Sequence, residues 1–269
     1  MTDVPIRLLV SDVDGTLITT DKVLTPETVR AVKELRGHDV MFTITSARPP
    51  RGFSMFVEPL DLVAPLGAFN GGLMVNPDMS PISELPVDPS IVAPIIEALR
   101  SSGVSIWVYQ NTDWFVLDLA GPHVAHESDV VQFAPRVIKS FDQVRDDVVK
   151  VVGVSDDLAA IARGREALSG FDVSATLSQT YYLDVTNPKA NKGSVIEFLA
   201  QHLSIDVASI ATIGDAGNDV AMFRRSGLSI AMGNAPDDIK SEALHVTASH
   251  DDNGFASAVT EFVLPHVAA

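Results

Sequence analysis

The chain has 269 residues, 46% of them apolar and 20% charged, an ordinary globular balance with length for one large or two smaller packed domains. With 35 acidic and 19 basic side chains the formal charge is -16, and no Lys/Arg cluster offers the basic face that a nucleic-acid or anionic-membrane partner requires. Cysteine is absent, which removes disulfides, thiol chemistry and cysteine-ligated zinc; with no signal-peptide pattern and no apolar run of about 18 residues, a soluble, cytoplasmic protein is expected.

Residues 6–10 are an apolar-leaning run ending in Ser11-Asp12, the pattern of a buried parallel strand that delivers acids at its carboxyl end. Thr25-Pro26-Glu27 opens a helix: Thr25 can cap it, Pro26 suits its first position, and Glu27 faces the positive end of the dipole. Val29, Val32 and Leu35 supply its apolar face. Strands are predicted over 40–45 and 62–69. Strand, helix and strand joined by polar loops is the grammar of an open α/β sheet, where ligands collect at carboxyl strand ends; Asp12, Ser46 and Asn70 fall at such ends.

From Asn76 the texture changes, and Pro77, Pro81, Pro86 and Pro89 mark a linker-like stretch. A helix over 88–102, strands over 104–109, 114–119 and 148–154, a helix over 156–168 and strands near Val173 and Tyr182 follow. After Asn187-Pro188 the first texture resumes, with a helix over 193–202 and a strand over 210–213. The predicted architecture is α/β: a Rossmann-like parallel-sheet core, residues 1–79 and 186–269, interrupted by an inserted α+β cap, residues 80–185.

Four segments carry chemistry. Asp12-Val13-Asp14-Gly15-Thr16-Leu17 sets two carboxylates two residues apart beyond a strand, where a loop could aim both at one ligand; a turn with solvated acids is the plain alternative. Ser46 could donate to a phosphate oxygen, although alone it reads as a cap or loop residue. Lys192 precedes a helix, where the dipole disfavours a cation unless an anion lies beside it. Gly214-Asp215-Ala216-Gly217-Asn218-Asp219 puts two carboxylates and an amide at a strand end, hard oxygens suited to Mg²⁺, with helix capping as the alternative.

Together these motifs resemble the haloacid dehalogenase superfamily of aspartate-nucleophile phosphatases, and more narrowly its Cof-like hydrolases, which carry a large α/β cap. Asn70-Gly71-Gly72, residues 230–235 and Asp252-Asn253-Gly254 are similar to further landmarks of that group, while Ser46-Ala47-Arg48 departs from its usual Thr-Gly-Arg. The resemblance implies Asp12 as nucleophile and Asp14 as general acid and base. It implies Mg²⁺ held by Asp12, the backbone carbonyl of Asp14, and Asp215, and phosphate held by Ser46 and Lys192. Asn218 would orient Lys192 or the metal shell, Asp219 would support that shell, and Arg48 and Asn70 would lie near the substrate and cap. The implied partner is a small phosphorylated metabolite. A phosphosugar mutase on the same fold and a catalytically silent ligand-binding regulator are the competing readings, and the oligomeric state is left open.

Overall fold

A run buried on both faces must be flanked by neighbours, and Leu8–Ser11 (β1) lies between two parallel strands with all four residues buried. The computed structural model describes residues 4–267. After β1 come α1 (Pro26–Gly37), β2 (Met41–Ile44), α2 (Ser54–Leu60), β3 (Leu66–Ala68), β4 (Leu73–Val75) and β5 (Pro81–Glu84). Next are α3 (Pro89–Ser101), β6 (Ser105–Gln110), β7 (Asp113–Val116), α4 (Val124–Val131), β8 (Arg136–Val137), β9 (Val148–Val154), α5 (Leu158–Ala167), β10 (Ser174–Gln179) and β11 (Tyr182–Thr186). The remaining named elements are α6 (Lys192–Leu203), β12 (Ile210–Gly214), α7 (Val220–Phe223), β13 (Leu228–Ala231), α8 (Asp237–Lys240), β14 (His245–Val246) and α9 (Gly254–Ala258).

Among the described residues, the core sheet runs β14-β13-β12-β1-β2, all parallel. A bridge between Thr45 and Gly67 carries it on toward β3. The cap sheet runs β10-β11-β9-β6-β7-β8 and is antiparallel except at β7–β8. This is the α/β core with an antiparallel cap that the pattern predicts. Thr25 caps α1 by accepting the Thr28 N–H, and Ala31, Val32 and Leu35 are its buried stripe.

Two local expectations change, and one helix is not anticipated. The strand expected over 62–69 shrinks to β3, because Asp61 takes a left-handed conformation at the end of α2 and the chain needs residues 62–65 to reach the sheet. The proline-marked stretch contains β5, which pairs with β4 at the edge of a three-stranded sheet, the place where a strand tolerates Pro81. Helix α4 has no sequence start signal: His123 at its N-cap is left-handed and makes no capping hydrogen bond.

The cap has an apolar cluster of its own, which includes Val92, Ile95, Leu99, Val151 and Leu183. Trp107, Tyr109 and Trp114 belong instead to the cluster that continues into the core, with the Tyr109 ring 5.1 Å from Phe69. These aromatics seat the cap on the core, and Trp107 and Tyr109 also line the cavity between the two. Among the described residues, no helix is long and apolar enough to cross a membrane.

Both tryptophans, Trp107 and Trp114, lie in the cap, so their fluorescence reports its unfolding. Leu99 is fully buried in the cap cluster. Leu99→Ala should lower stability by about 2–5 kcal/mol in denaturant titrations followed by that fluorescence; a change below about 1 kcal/mol would contradict the packing described.

Candidate active site

Strand adjacency brings the acids together. Because β1 and β12 are parallel neighbours, Asp12 and Asp215 emerge side by side one residue beyond them, with Ser46 beyond β2 on the other flank. The Asp12 N–H donates to the Ile213 carbonyl at 2.9 Å and keeps the ladder in register to that point. One carboxylate oxygen from each of Asp12, Asp215 and Asp219 lies within 4.8 Å of the others. This approach needs glycine: Gly15 has φ +81°, and a Cβ there would sit 2.3 Å from Asp215 Oδ2.

Lys192, the first residue of α6, is fully buried, with Nζ 2.6 Å from Asp12 Oδ1 and 2.5 Å from Asp219 Oδ1. Burial alone would lower its pKa, but the two carboxylates outweigh it and raise it, so it stays an ammonium. They also offset its unfavourable place at a helix amino end. The second Asp219 oxygen accepts the N–H groups of Asp215 and Ala216, each at 2.9 Å. Asp219 therefore both caps its loop and orients Lys192, the second role being one expected of Asn218. Asn218 is exposed and turns the other way, donating from Nδ2 to Asn70 Oδ1 at 3.1 Å.

Asp14 points elsewhere. Arg48 donates to it from Nε at 2.7 Å and Nη2 at 2.9 Å, and Lys22 Nζ lies 2.7 Å away. Burial would raise the Asp14 carboxyl, but the Arg48 hydrogen bonds and then the Arg48 and Lys22 charges hold it well below the usual carboxylate range. A residue that donates and then accepts a proton needs a higher pKa, so this clamped arrangement suits the accepting half only. The Asp14 carboxylate lies outside the three-acid cluster; the resemblance assigns Asp14 to the cation through its backbone carbonyl instead.

Ser46 is buried, and its Oγ accepts the Arg48 N–H at 3.3 Å. The Asn70 N–H, from a left-handed residue, donates to the Ser46 carbonyl at 2.8 Å and ties the Asn-Gly segment to this loop. Ala47 lies outside the left-handed region, so alanine costs no strain where the family pattern has glycine. Its carbonyl accepts Lys150 Nζ of the cap at 3.3 Å, while Arg48 Nη1 donates to the Val130 carbonyl at 3.1 Å. Core loop and cap thus hold one another at two points.

Sequence reasoning missed Lys22, which carries no motif signal, and Asn234, which lies in the 230–235 landmark. Asn234 Nδ2 bridges the Gly15 carbonyl at 2.9 Å and Asp215 Oδ2 at 3.3 Å. In the cap, His123 hydrogen-bonds Asp156 at 2.7 Å and stacks on Tyr181.

Burial raises the Asp12 pKa well above its usual range, opposed by Lys192 and reinforced by Asp219 and Asp215. Burial and then Asp219 push Asp215 up to about 6. Hard oxygens carrying more negative charge than their surroundings offset are what a small divalent cation such as Mg²⁺ requires, so the donor set fits one. A cavity of about 550 Å³ lies between these loops and the cap, walled by Asp12, Asp14 and Arg48 on one side and Glu127, Lys150 and Asp184 on the other. Another of about 580 Å³ within the cap is lined by no motif residue, and four of its rim charges pair as Arg100–Glu97 and Arg145–Asp142. The chemistry belongs to the first.

Fold and site define a capped α/β enzyme whose polar machinery sits at the carboxyl edge of a parallel sheet. The sequence matches the family profile of haloacid dehalogenase-like hydrolases over residues 9–259, and the chain belongs to that family. A Haemophilus influenzae protein whose name proposes a phosphatase is 29% identical over 260 residues, covering 95% of this chain and 97% of its own. A Bacillus subtilis 5-amino-6-(5-phospho-D-ribitylamino)uracil phosphatase is 25% identical, with 96% and 98% covered. In fold, a haloacid dehalogenase-like hydrolase from Bacteroides thetaiotaomicron superposes with a TM-score of 0.87 at 22% identity, covering 95% of this chain and 98% of that one.

Burial and then Asp219 push the Asp215 carboxyl up to about 6 in the folded chain from the 3.8 of an ordinary aspartate, so folding loses stability as pH rises across that interval. In EDTA, the melting temperature of Asp215→Asn relative to wild type should therefore climb between about pH 4 and 6 and level off above. A difference that does not change with pH would show that Asp215 carries no such burden.

Proposed function

We propose that this protein is a Mg²⁺-dependent phosphatase that hydrolyses small phosphorylated metabolites, sugar phosphates or similar phosphomonoesters, through an aspartyl-phosphate formed on Asp12. The observation that carries this reading is Asp12 itself: a buried carboxylate at a strand end, 2.6 Å from the Lys192 ammonium and facing the cavity. The names of the curated relatives support the same activity class. The setting is cytoplasmic, and neither nucleic acid nor membrane takes part.

Asp12 attacks phosphorus in line, and the ester P–O bond breaks as the new one forms. Asp14, once protonated, gives its proton to the departing alkoxide and then takes one from the water that attacks the aspartyl-phosphate, freeing phosphate and regenerating Asp12. Lys192 and Ser46 hold the transferring oxygens, and Asp219 keeps Lys192 aimed. A divalent cation held by Asp12, Asp215 and the Asp14 carbonyl would supply the charge that lets a phosphate dianion approach these carboxylates. The cap excludes water during transfer.

Phosphate release from an aryl phosphate should require Mg²⁺, stop in EDTA, and fall by several orders of magnitude in Asp12→Asn. Full activity in that variant would discard the nucleophile. Isomer interconversion with little phosphate released would favour a mutase, and silence across a panel of metabolite phosphates a binding protein. Lys22 favours ionised Asp14, so Lys22→Met should move the high-pH limb of kcat/KM to higher pH. A limb that stays in place would take the Lys22–Asp14 pair out of the mechanism.

A further inference from the structure

The cavity wall opposite the motif residues belongs to the cap, and it is rich in acceptors. Asp184 on β11 is 2% exposed. Its Oδ2 is paired with Lys150 Nζ at 2.6 Å and Ser178 lies beside the carboxylate, yet neither oxygen receives a well-aligned hydrogen bond. Glu127 on α4 lines the same wall, and the Tyr182 hydroxyl reaches its Oε2 at 3.4 Å. Burial raises the Glu127 carboxyl, Lys150 partly offsets this, and Asp184 adds to it.

Cations in the cavity are already committed. Lys22 and Arg48 pair with Asp14, and Lys150 pairs with Asp184. Among the described residues, no lysine or arginine lining this cavity lacks a carboxylate partner, and His126 sits at the exposed rim. Two kinds of ligand group would fare differently here. A hydroxyl donates to an orphaned buried oxygen and removes its cost. A carboxylate or second phosphate would meet Asp184 and Glu127 in a poorly solvated space with no free cation to answer it.

Resting on the phosphatase reading above, we propose that Glu127 and Asp184 determine specificity by accepting hydroxyl hydrogens from the alcohol part of the substrate. The substrate class is then a polyhydroxylated monophosphate whose far end carries no second anionic group. Lys150 opposes the burial that raises the Asp184 carboxyl and, through the Ala47 carbonyl, ties this wall to the phosphate loop.

The test compares two substrates of equal length, sorbitol 6-phosphate and 6-phosphogluconate, which differ only in a terminal CH₂OH against a carboxylate. Wild-type kcat/KM should favour the polyol by about tenfold or more, a difference of about 1.4 kcal/mol. Glu127→Gln and Asp184→Asn should each narrow that ratio by about threefold or more, by improving the acid relative to the polyol. If Asp184→Asn fails to fold because Lys150 loses its partner, Glu127→Gln decides alone. Equal rates on the two substrates, a preference for the acid, turnover of neither, or a ratio unmoved in folded Glu127→Gln would overturn the proposal. The aryl phosphate assay separates the two readings. An enzyme active there that fails these comparisons loses only this inference, whereas one inactive on every phosphate loses the phosphatase reading as well.

Discussion

Crowding of negative charge at the carboxyl ends of β1 and β12 sets the terms for everything around it. At about 4 Å, each like-charge pair costs roughly 4 kcal/mol at an effective dielectric near 20. Asp12, Asp215 and Asp219 come within that range in a place where water offers little relief. The fold offsets the repulsion with a fully buried ammonium from α6 and with backbone N–H groups turned onto Asp219. The offset is incomplete, which is why Asp12 and Asp215 still hold protons more tightly than ordinary aspartates. That shortfall is what a divalent cation and a phosphate would act upon together, each making the other's approach easier.

Arg48 extends the same electrostatics to the cap. Its guanidinium grips Asp14 with two hydrogen bonds and the α4 backbone with a third, so Asp14 and the cap share one side chain. Planar, five-donor geometry suits arginine to this double engagement in a way lysine could not match. Lys150 makes the reciprocal connection from cap to phosphate loop, with its ammonium over the rings of Phe69 and Tyr109. Cap position and the ionisation of Asp14 are therefore tied through the loop 46–48, and the clamped Asp14 belongs to the state in which both contacts are made.

Much of the fold and the centre of the site could be read from residue order. The Leu8-Leu9-Val10 run is wholly apolar and the 210–213 run is apolar but for Thr212, the pattern of a doubly covered parallel strand, and each is followed two residues on by an aspartate. The cation at the head of α6 signals a nearby anion by the dipole argument alone. What stayed hidden was partnership. Asn218 and Asp219 are adjacent, chemically similar and both able to cap, so sequence could not say that one turns inward to Lys192 and the other outward to Asn70.

The sequence by itself determined which groups would lie at strand ends, since apolar periodicity and the glycine at position 15 are local properties. Only the tertiary structure decided their charge states and neighbours. Asp14 is held ionised because Arg48, 34 residues away, and Lys22 converge on it, and Asp184 keeps unsatisfied oxygens because β11 packs it against the cavity. Charge and hydrogen bonding depend on distance and dielectric, which are set by residues remote in the chain, and no reading along one strand can supply them.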